Sequence, residues 1–375
     1  GGITANYLFL FFPILIIIQT RKIKPIRSDL LLIIFAFIVL FLIGSIINIF
    51  MGVYTLRSIY SFISFLSIFS FSFINVTNKH EKAFFMAIIF ITTTFVLQSV
   101  FIVFQTGVFD GAELKVLVGS QRIGFIYLLS FWISILDKKY LQSRYLKKMK
   151  WFFICISLLG LLLTFSRSSI VSLLISISIY SIYKIFKLSN ISTKKIRKNL
   201  ITIIIVIGTL IVIYPSLFVF TKFYTDRLFG LLFSGNLFKL LSLSNSSEGL
   251  RFIIWNDILS YLGNNPIFGS LYLGYWSLPG AVTGSSHNQY FDVLLKSGAI
   301  GFILYITCLV FLSKFLFKYW QNYFWGFISI LVYGVFHETF KESQGAFIIA
   351  FMIGLYSSST LSLIPGNYQL FGITK

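Results

Sequence analysis

The sequence predicts an all-α polytopic membrane protein. Of its 375 residues, 57% are hydrophobic and only 11% charged, with 45 Phe and a mean hydropathy of +0.89. Ordinary soluble domains hold roughly 45–50% apolar and about 25% charged residues. A packed core cannot absorb that excess of apolar surface, whereas a bilayer can. The apolar residues also come in long runs separated by short polar loops, as helices that close their own backbone hydrogen bonds in lipid require. Finally, 16 of the 31 basic residues fall in three short segments (21–27, 138–150 and 184–198) that abut apolar runs. Positive charge in such places marks cytoplasmic loops.

About eleven spans follow, within a range of ten to twelve: 5–20, 30–53, 59–76, 84–104, 123–136, 151–165, 169–186, 200–220, 299–317, 324–340 and 346–364. Several are short for a stretch that needs roughly 17–25 residues to cross. With the basic loops inside, segments 22–27, 78–82, 137–150 and 187–198 face the cytoplasm. Segments 54–57, 105–122 and 221–296 then face the other side. The chain divides accordingly into eight spans over 1–220, one large external loop over 221–298, and three spans with a cytoplasmic tail over 299–375.

The net charge of +20 does not signal nucleic-acid binding. The basic clusters border membrane runs and lack the interleaved aromatics of a groove that tracks a phosphate backbone. Cys155 and Cys308 sit in separate apolar runs, which argues against a disulfide framework or a metal site. No HExxH or GxSxG motif is present, so neither zinc nor serine-nucleophile chemistry is expected.

Between the second and third basic clusters the chain must cross an even number of times. Two short helices fit there, and the turn between them reads TFSRSSI, with Arg167 flanked by Ser166, Ser168 and Ser169. This puts Arg167 at the external face. An arginine at a helix end is often a snorkelling anchor; on the outside, however, it runs against the positive-inside bias and asks for an anionic partner.

The loop 221–298 is the one segment between spans large enough to build a site. Within it, SSEGLRFIIWNDILSYLGNNP reads as a helix capped by Ser246 or Ser247 and ended by Gly263 and Pro266. Its apolar stripe is Leu250, Ile253, Ile254, Ile258 and Tyr261, so it is expected to lie in the membrane interface. Arg251 sits near its start, and Trp255, four residues on, shares that face. GSSHNQYFDVLLKSGAIGF follows, a short helix capped by Ser285 or Ser286, entering the next span through Gly298 and Gly301. His287 falls at that helix's N-terminus, where the dipole disfavours an imidazolium. A neutral imidazole facing water suits a general base; a surface histidine making local hydrogen bonds fits the same position.

These segments together resemble the O-antigen ligase and O-antigen polymerase superfamily. SSHNQYFDVLLKSGAIG resembles its His-Asn-x-Tyr…Gly-x-x-Gly signature, and GLRFIIWNDILSYLGNNPIFG its Gly-x-Arg-x-x-x-Trp helix with an Asn-Pro-apolar-Gly ending. TFSRSSIVSLL is similar to its Thr-x-Ser-Arg turn, and QRIGF to a weaker Arg-x-x-Gly-Phe element. The matches run in family order from about Arg122 to Gly301.

The resemblance implies a GT-C-like, metal-independent glycosyltransferase that needs no cofactor. It would sit in the bacterial inner membrane with its active site on the periplasmic side. Its substrates would be an undecaprenyl-pyrophosphate-linked glycan donor and a glycan acceptor, with a chain-length regulator protein as a candidate partner beside the membrane lipid. Position by position, His287 corresponds to the base that activates the acceptor hydroxyl. Arg167 and Arg251, and more weakly Arg122, correspond to the arginines that hold the pyrophosphate.

Supporting positions follow from the residues themselves. Asn288 and Tyr290 shape the surroundings of His287, Trp255 stacks on a sugar or joins the interfacial aromatic belt, and Asp292 solvates a helix face. Glu338, in FHETFKESQG with His337 and Glu342, either orients an arginine or sugar or solvates a helix end. A polymerase joining lipid-linked repeat units is favoured over a ligase that transfers the finished chain to lipid A core, because the chain is compact and rich in Phe and Ile. A flippase of lipid-linked oligosaccharides would need charges at mid-bilayer depth and internal repeats; neither is visible.

Overall fold

The computed structural model describes residues 26–50, 56–106, 123–137, 139–141, 144–164, 166–188, 247–275, 278, 285–341 and 343–358. Among them every regular element is a helix: α1 Ser28–Phe50, α2 Leu56–Leu66, α3 Asn78–Thr106, α4 Gly124–Leu136, α5 Arg144–Leu163, α6 Arg167–Leu188, α7 Ser247–Asn264, α8 Gln289–Tyr319, α9 Gln321–Gly334 and α10 Ser343–Ser358, with 3-10 turns at Ser67–Phe73 and Thr339–Lys341. Nine of the eleven predicted spans meet a helix here. The first and eighth, 5–20 and 200–220, lie outside the described residues.

Among the described residues three helices, α1, α3 and α8, are long and apolar enough to cross a membrane. In α1 only 28% of the span is buried inside the protein. Leu30, Ile33, Ile34, Phe37, Gly44 and Asn48 make the inward stripe, while Leu31, Leu32, Phe35, Leu42, Ile46 and Ile49 lie bare. A helix apolar on every side with most of it uncovered needs lipid around it. The chain is therefore a membrane protein.

The chain forms two compact units. The first contains residues 1–88, 254–324 and 334–375. At one of its ends the start of α1 is tied to the end of α10. The Arg27 guanidinium grips the Asp29 carboxylate with two bonds of 3.1 Å and lies 4.2 Å over the Tyr356 ring, and the Tyr356 hydroxyl donates to Asp29. Close by in sequence, Ser357 and Ser358 of α10 hold the chain that leaves the first 3-10 turn: the Ser357 hydroxyl donates to the Ser72 carbonyl, and Ser358 Oγ accepts from Val76 N.

The span predicted over 59–76 is thus an α-helix only to Leu66 and a tight 3-10 turn afterwards. The reason is local: the Ser67 and Ser72 hydroxyls bond back to the carbonyls of Ser64 and Phe69, offering the backbone an alternative to the α-helical ladder. Predicted span 324–340 likewise stops being α-helical at Gly334.

The second unit contains residues 89–253 and 325–333. Here α4 is buried along nearly its whole length and packs on α5 and α6. Gly160 of α5 admits the Tyr127 ring, and Gly326 of α9 admits Leu129. Trp132 packs near-perpendicular to Tyr180, 5.2 Å between ring centroids, and its indole N–H reaches Ser176 Oγ at 3.2 Å. Asp137 ends α4, its Oδ2 accepting from the N–H groups of Lys139, Tyr140 and Leu141. Burial nevertheless holds its pKa above the ordinary carboxylate value.

Candidate functional site

The segment 285–288 carries the histidine singled out from the sequence. Ser286 is fully buried, and both its backbone N–H and its hydroxyl reach Glu338 Oε1, the hydroxyl at 2.8 Å. The Ser286 carbonyl accepts the Trp255 indole N–H at 3.0 Å. Side chains from two separate parts of the first unit therefore hold one residue.

His287 follows with φ +53°, the left-handed region, which costs a non-glycine residue about 1–2 kcal/mol. Its N–H donates to Ser285 Oγ at 3.2 Å, and its side chain is half-buried. Next, Asn288 caps α8: its Oδ1 accepts from the N–H groups of Tyr290 at 2.8 Å and Phe291 at 3.1 Å.

This changes three expectations. The cap of α8 is Asn288, not Ser285 or Ser286, because the Ser286 hydroxyl is engaged by Glu338 and by the Asn288 carbonyl. Glu338 does not solvate a helix end: it is 9% exposed and anchors the turn before His287. Asp292 is also buried, in an i,i+4 ion pair with Lys296 at 2.7 Å. Tyr290 is half-buried on the first turn of α8. Gln289, unremarked in the sequence, accepts the Phe340 N–H at 2.8 Å and so fixes the 3-10 turn after Glu338. Glu342 lies outside the described residues.

Below this turn α8 is broken at Gly298, with φ +63° and ψ −167°. The break frees two carbonyls and two N–H groups, and the segment 266–272 takes all four. Ser270 N donates to the Leu295 carbonyl at 2.6 Å and Tyr272 N to the Lys296 carbonyl at 2.8 Å. In return, Ala299 N donates to the Pro266 carbonyl at 2.9 Å and Ile300 N to the Ile267 carbonyl at 3.5 Å. A Cβ on Gly298 would strike the Ile267 carbonyl, and one on Gly269 the Leu295 carbonyl. The Asn-Pro-apolar-Gly and Gly-x-x-Gly segments are thus two halves of one clasp.

The clasp also seats α7. Its buried stripe is Ile254, Ile258 and Leu262, packed with Tyr275, Leu278 and Leu295. The predicted stripe held Ile254 and Ile258 correctly, but Ile253 is exposed together with Phe252 and Leu259. Those three form an uncovered apolar face suited to lipid. Tyr275 donates to Asp257 Oδ2 at 3.0 Å; burial first, then that carboxylate, pushes the phenol up to about 12. Arg251 lies in the second turn of α7 and is half-buried.

In the second unit, the turn between α5 and α6 takes the predicted place. Thr164 Oγ1 accepts from Ser166 N at 3.2 Å, and the Ser166 carbonyl accepts from Ser169 N and Ile170 N. Arg167 is the first residue of α6. The starts of α4 and α6 meet here, since a Cβ on Gly124 would overlap the Ser169 hydroxyl. Two helix N-termini so placed offer backbone N–H groups and positive dipole ends to an anion. Arg122 lies outside the described residues.

The structure therefore gathers Trp255, His287, Asn288 and Glu338 about Ser286, and separately places Arg167 where α4 and α6 begin. Among the described residues no group of three His, Cys, Asp or Glu stands close enough to hold a metal ion. Sequence reasoning took Ser286 for a candidate cap and missed its anchoring by Glu338, as well as Gln289 and the meaning of Gly269; the paired glycines of PIFG and SGAIG were the visible signal. No curated protein sequence matches the chain. The model of the O-antigen ligase family matches residues 152–306, a stretch that runs from α5 through Arg167, Arg251, His287 and the Gly298 clasp. Residues 152–306 are thus similar to the O-antigen ligase family, in line with the resemblance of their motifs to the O-antigen polymerase and ligase superfamily.

Proposed function

We propose that the chain is an O-antigen polymerase that joins undecaprenyl-pyrophosphate-linked oligosaccharide repeat units at the periplasmic face of the bacterial inner membrane. It would do so on an eleven-span, GT-C-like scaffold. The family match over 152–306 carries this reading, because it contains Arg167, Arg251 and His287 together. In the proposed reaction His287 removes the proton of the acceptor sugar hydroxyl, a contribution worth roughly 10²–10⁴ in rate. Arg167 and Arg251, with Arg122, take the negative charge that develops on the departing pyrophosphate through forked guanidinium contacts. One base and no carboxylate nucleophile means a single displacement, with inversion at the anomeric carbon. The left-handed turn at His287, held by Glu338 and Trp255, supports a base kept in one orientation.

The second reading is the ligase, favoured by the description of the matching family itself. One experiment separates the two: purified protein is incubated with lipid-linked repeat units alone. A ladder of glycans indicates the polymerase; no product until lipid A core is added indicates the ligase. Arg167→Ala, Arg251→Ala and His287→Ala are expected to abolish either product while leaving expression intact. Normal activity in the three variants would end the proposal, and retained anomeric configuration in the product would end the single displacement.

A further inference from the structure

A cavity of about 380 Å³ in the first unit lies between the C-terminal turn of α1 and the segment that links α7 to the clasp. Its lining includes Asn48, Tyr261, Asn264, Asn265, Pro266 and Ser270, and among the described residues no charged side chain takes part. Asn48 is 4% exposed, yet its Nδ2 has no hydrogen-bond partner. An amide buried at the end of an apolar helix without a partner calls for a polar group in the cavity, whether a ligand or a water. Asn264 and Asn265 stand exposed beside it, the latter pointing its Nδ2 back to the Tyr261 carbonyl at 3.5 Å.

We infer that this cavity is a saccharide subsite, taking an uncharged sugar residue of the glycan being transferred. Three amides supply donors and acceptors side by side, as adjacent sugar hydroxyls require. Tyr261, Pro266 and neighbouring aliphatic groups supply the apolar wall for the C–H face of the ring. The volume is that of a small-molecule site. The described lining offers no cation to a pyrophosphate, so its job differs from that of the arginines. The position also fits: Tyr261 lies six residues along α7 from Trp255, about 9 Å of helix rise, and Trp255 holds the turn of His287. One oligosaccharide can reach from that turn to the cavity. The inference builds on the glycosyl transfer proposed above and adds where the glycan is held away from the reacting hydroxyl.

The test uses full-length protein in nanodiscs free of glycosidic detergent. The probe is the repeat-unit oligosaccharide released from its lipid pyrophosphate, with binding followed by saturation-transfer NMR and calorimetry. Saturable binding is expected, about tenfold weaker in Asn48→Leu and in Asn265→Ala, as the loss of one well-made hydrogen bond would give. His287→Ala should bind as the unaltered protein does. In turnover, Asn48→Leu should raise KM for one lipid-linked substrate by a similar factor at unchanged kcat; whether donor or acceptor is affected tells which glycan occupies the cavity. Asn265 is exposed, so its variant remains informative should Asn48→Leu fold poorly. Undiminished binding by both variants, no saturable binding by the unaltered protein, or competition by inorganic pyrophosphate would overturn the subsite. A His287→Ala protein that still builds ladders would instead overturn the proposed base and leave the binding result standing.

Discussion

Glu338 offers the sharpest perturbation of the turn that carries His287. Its Oε1 accepts from the Ser286 N–H and lies 2.8 Å from the Ser286 hydroxyl, and Ser286 has no exposed surface. Glu338→Ala strands that N–H in the interior, at a cost of about 1–3 kcal/mol. The left-handed conformation of His287 is of similar cost, about 1–2 kcal/mol, so the turn has reason to relax once its anchor goes. If the whole loss falls on the transition state, kcat drops by roughly 5- to 150-fold, at about 1.4 kcal/mol per factor of ten. Glu338→Gln keeps an acceptor oxygen and gives up only the charge assistance, about 1 kcal/mol, or roughly fivefold. The assay is glycan elongation or transfer from lipid-linked units in purified protein, with thermal unfolding in detergent as the folding control. The expected order is unaltered protein, then Gln, then Ala, with KM for the lipid-linked donor little changed. Full kcat in folded Glu338→Ala beside an inactive His287→Ala would refute the positioning argument.

Three further outcomes follow from the same geometry. Gly298→Ala and Gly269→Ala place a Cβ against backbone carbonyls at positive φ and should each lower stability by on the order of 2–4 kcal/mol, whereas Gly263→Ala, which meets nothing, should be neutral or slightly stabilising; melting temperatures in detergent compare the three. Asn288→Ala removes the α8 cap and should cost about 1 kcal/mol, most of it recovered in Asn288→Asp, again by thermal unfolding. Asp137 has its pKa raised by burial, so the folded state binds its proton more tightly than the unfolded chain. Its contribution therefore favours folding as pH falls through that raised value, and fades as pH rises between the ordinary carboxylate pKa and the raised one. Unfolding of Asp137→Asn measured across mildly acidic pH should show a flatter profile than the unaltered protein; an identical slope would count against the buried carboxylate.

Much of the helical plan was legible because apolar runs and basic loops obey the bilayer, which admits few alternatives. The limits of the reading came from hydroxyl-bearing residues. Ser67 and Ser72 turned half of a predicted span into a 3-10 turn, and Ser286, taken for a cap, was drawn away by a carboxylate 52 residues later in the chain. Such competition depends on partners distant in sequence, which no periodicity encodes. The stripe of α7 shows a subtler limit. Ile253 and Ile254 are equally apolar, and only the seat against Tyr275 and Leu278 decides that the second turns inward while the first stays exposed. At the candidate site, residue types carried the proposed chemistry, but the device that holds the His287 turn lay in Glu338 and Trp255, whose contacts appear only once the chain is folded.

The clasp at Gly298 has a consequence for biosynthesis. Residues 266–272 leave the ribosome before the helix that completes them, and until Leu295, Lys296, Ala299 and Ile300 arrive their amides and carbonyls have no mutual partners. These four bonds can therefore close only after the chain has been made through Ile300, so the turn that precedes α8 lacks its lower support until then.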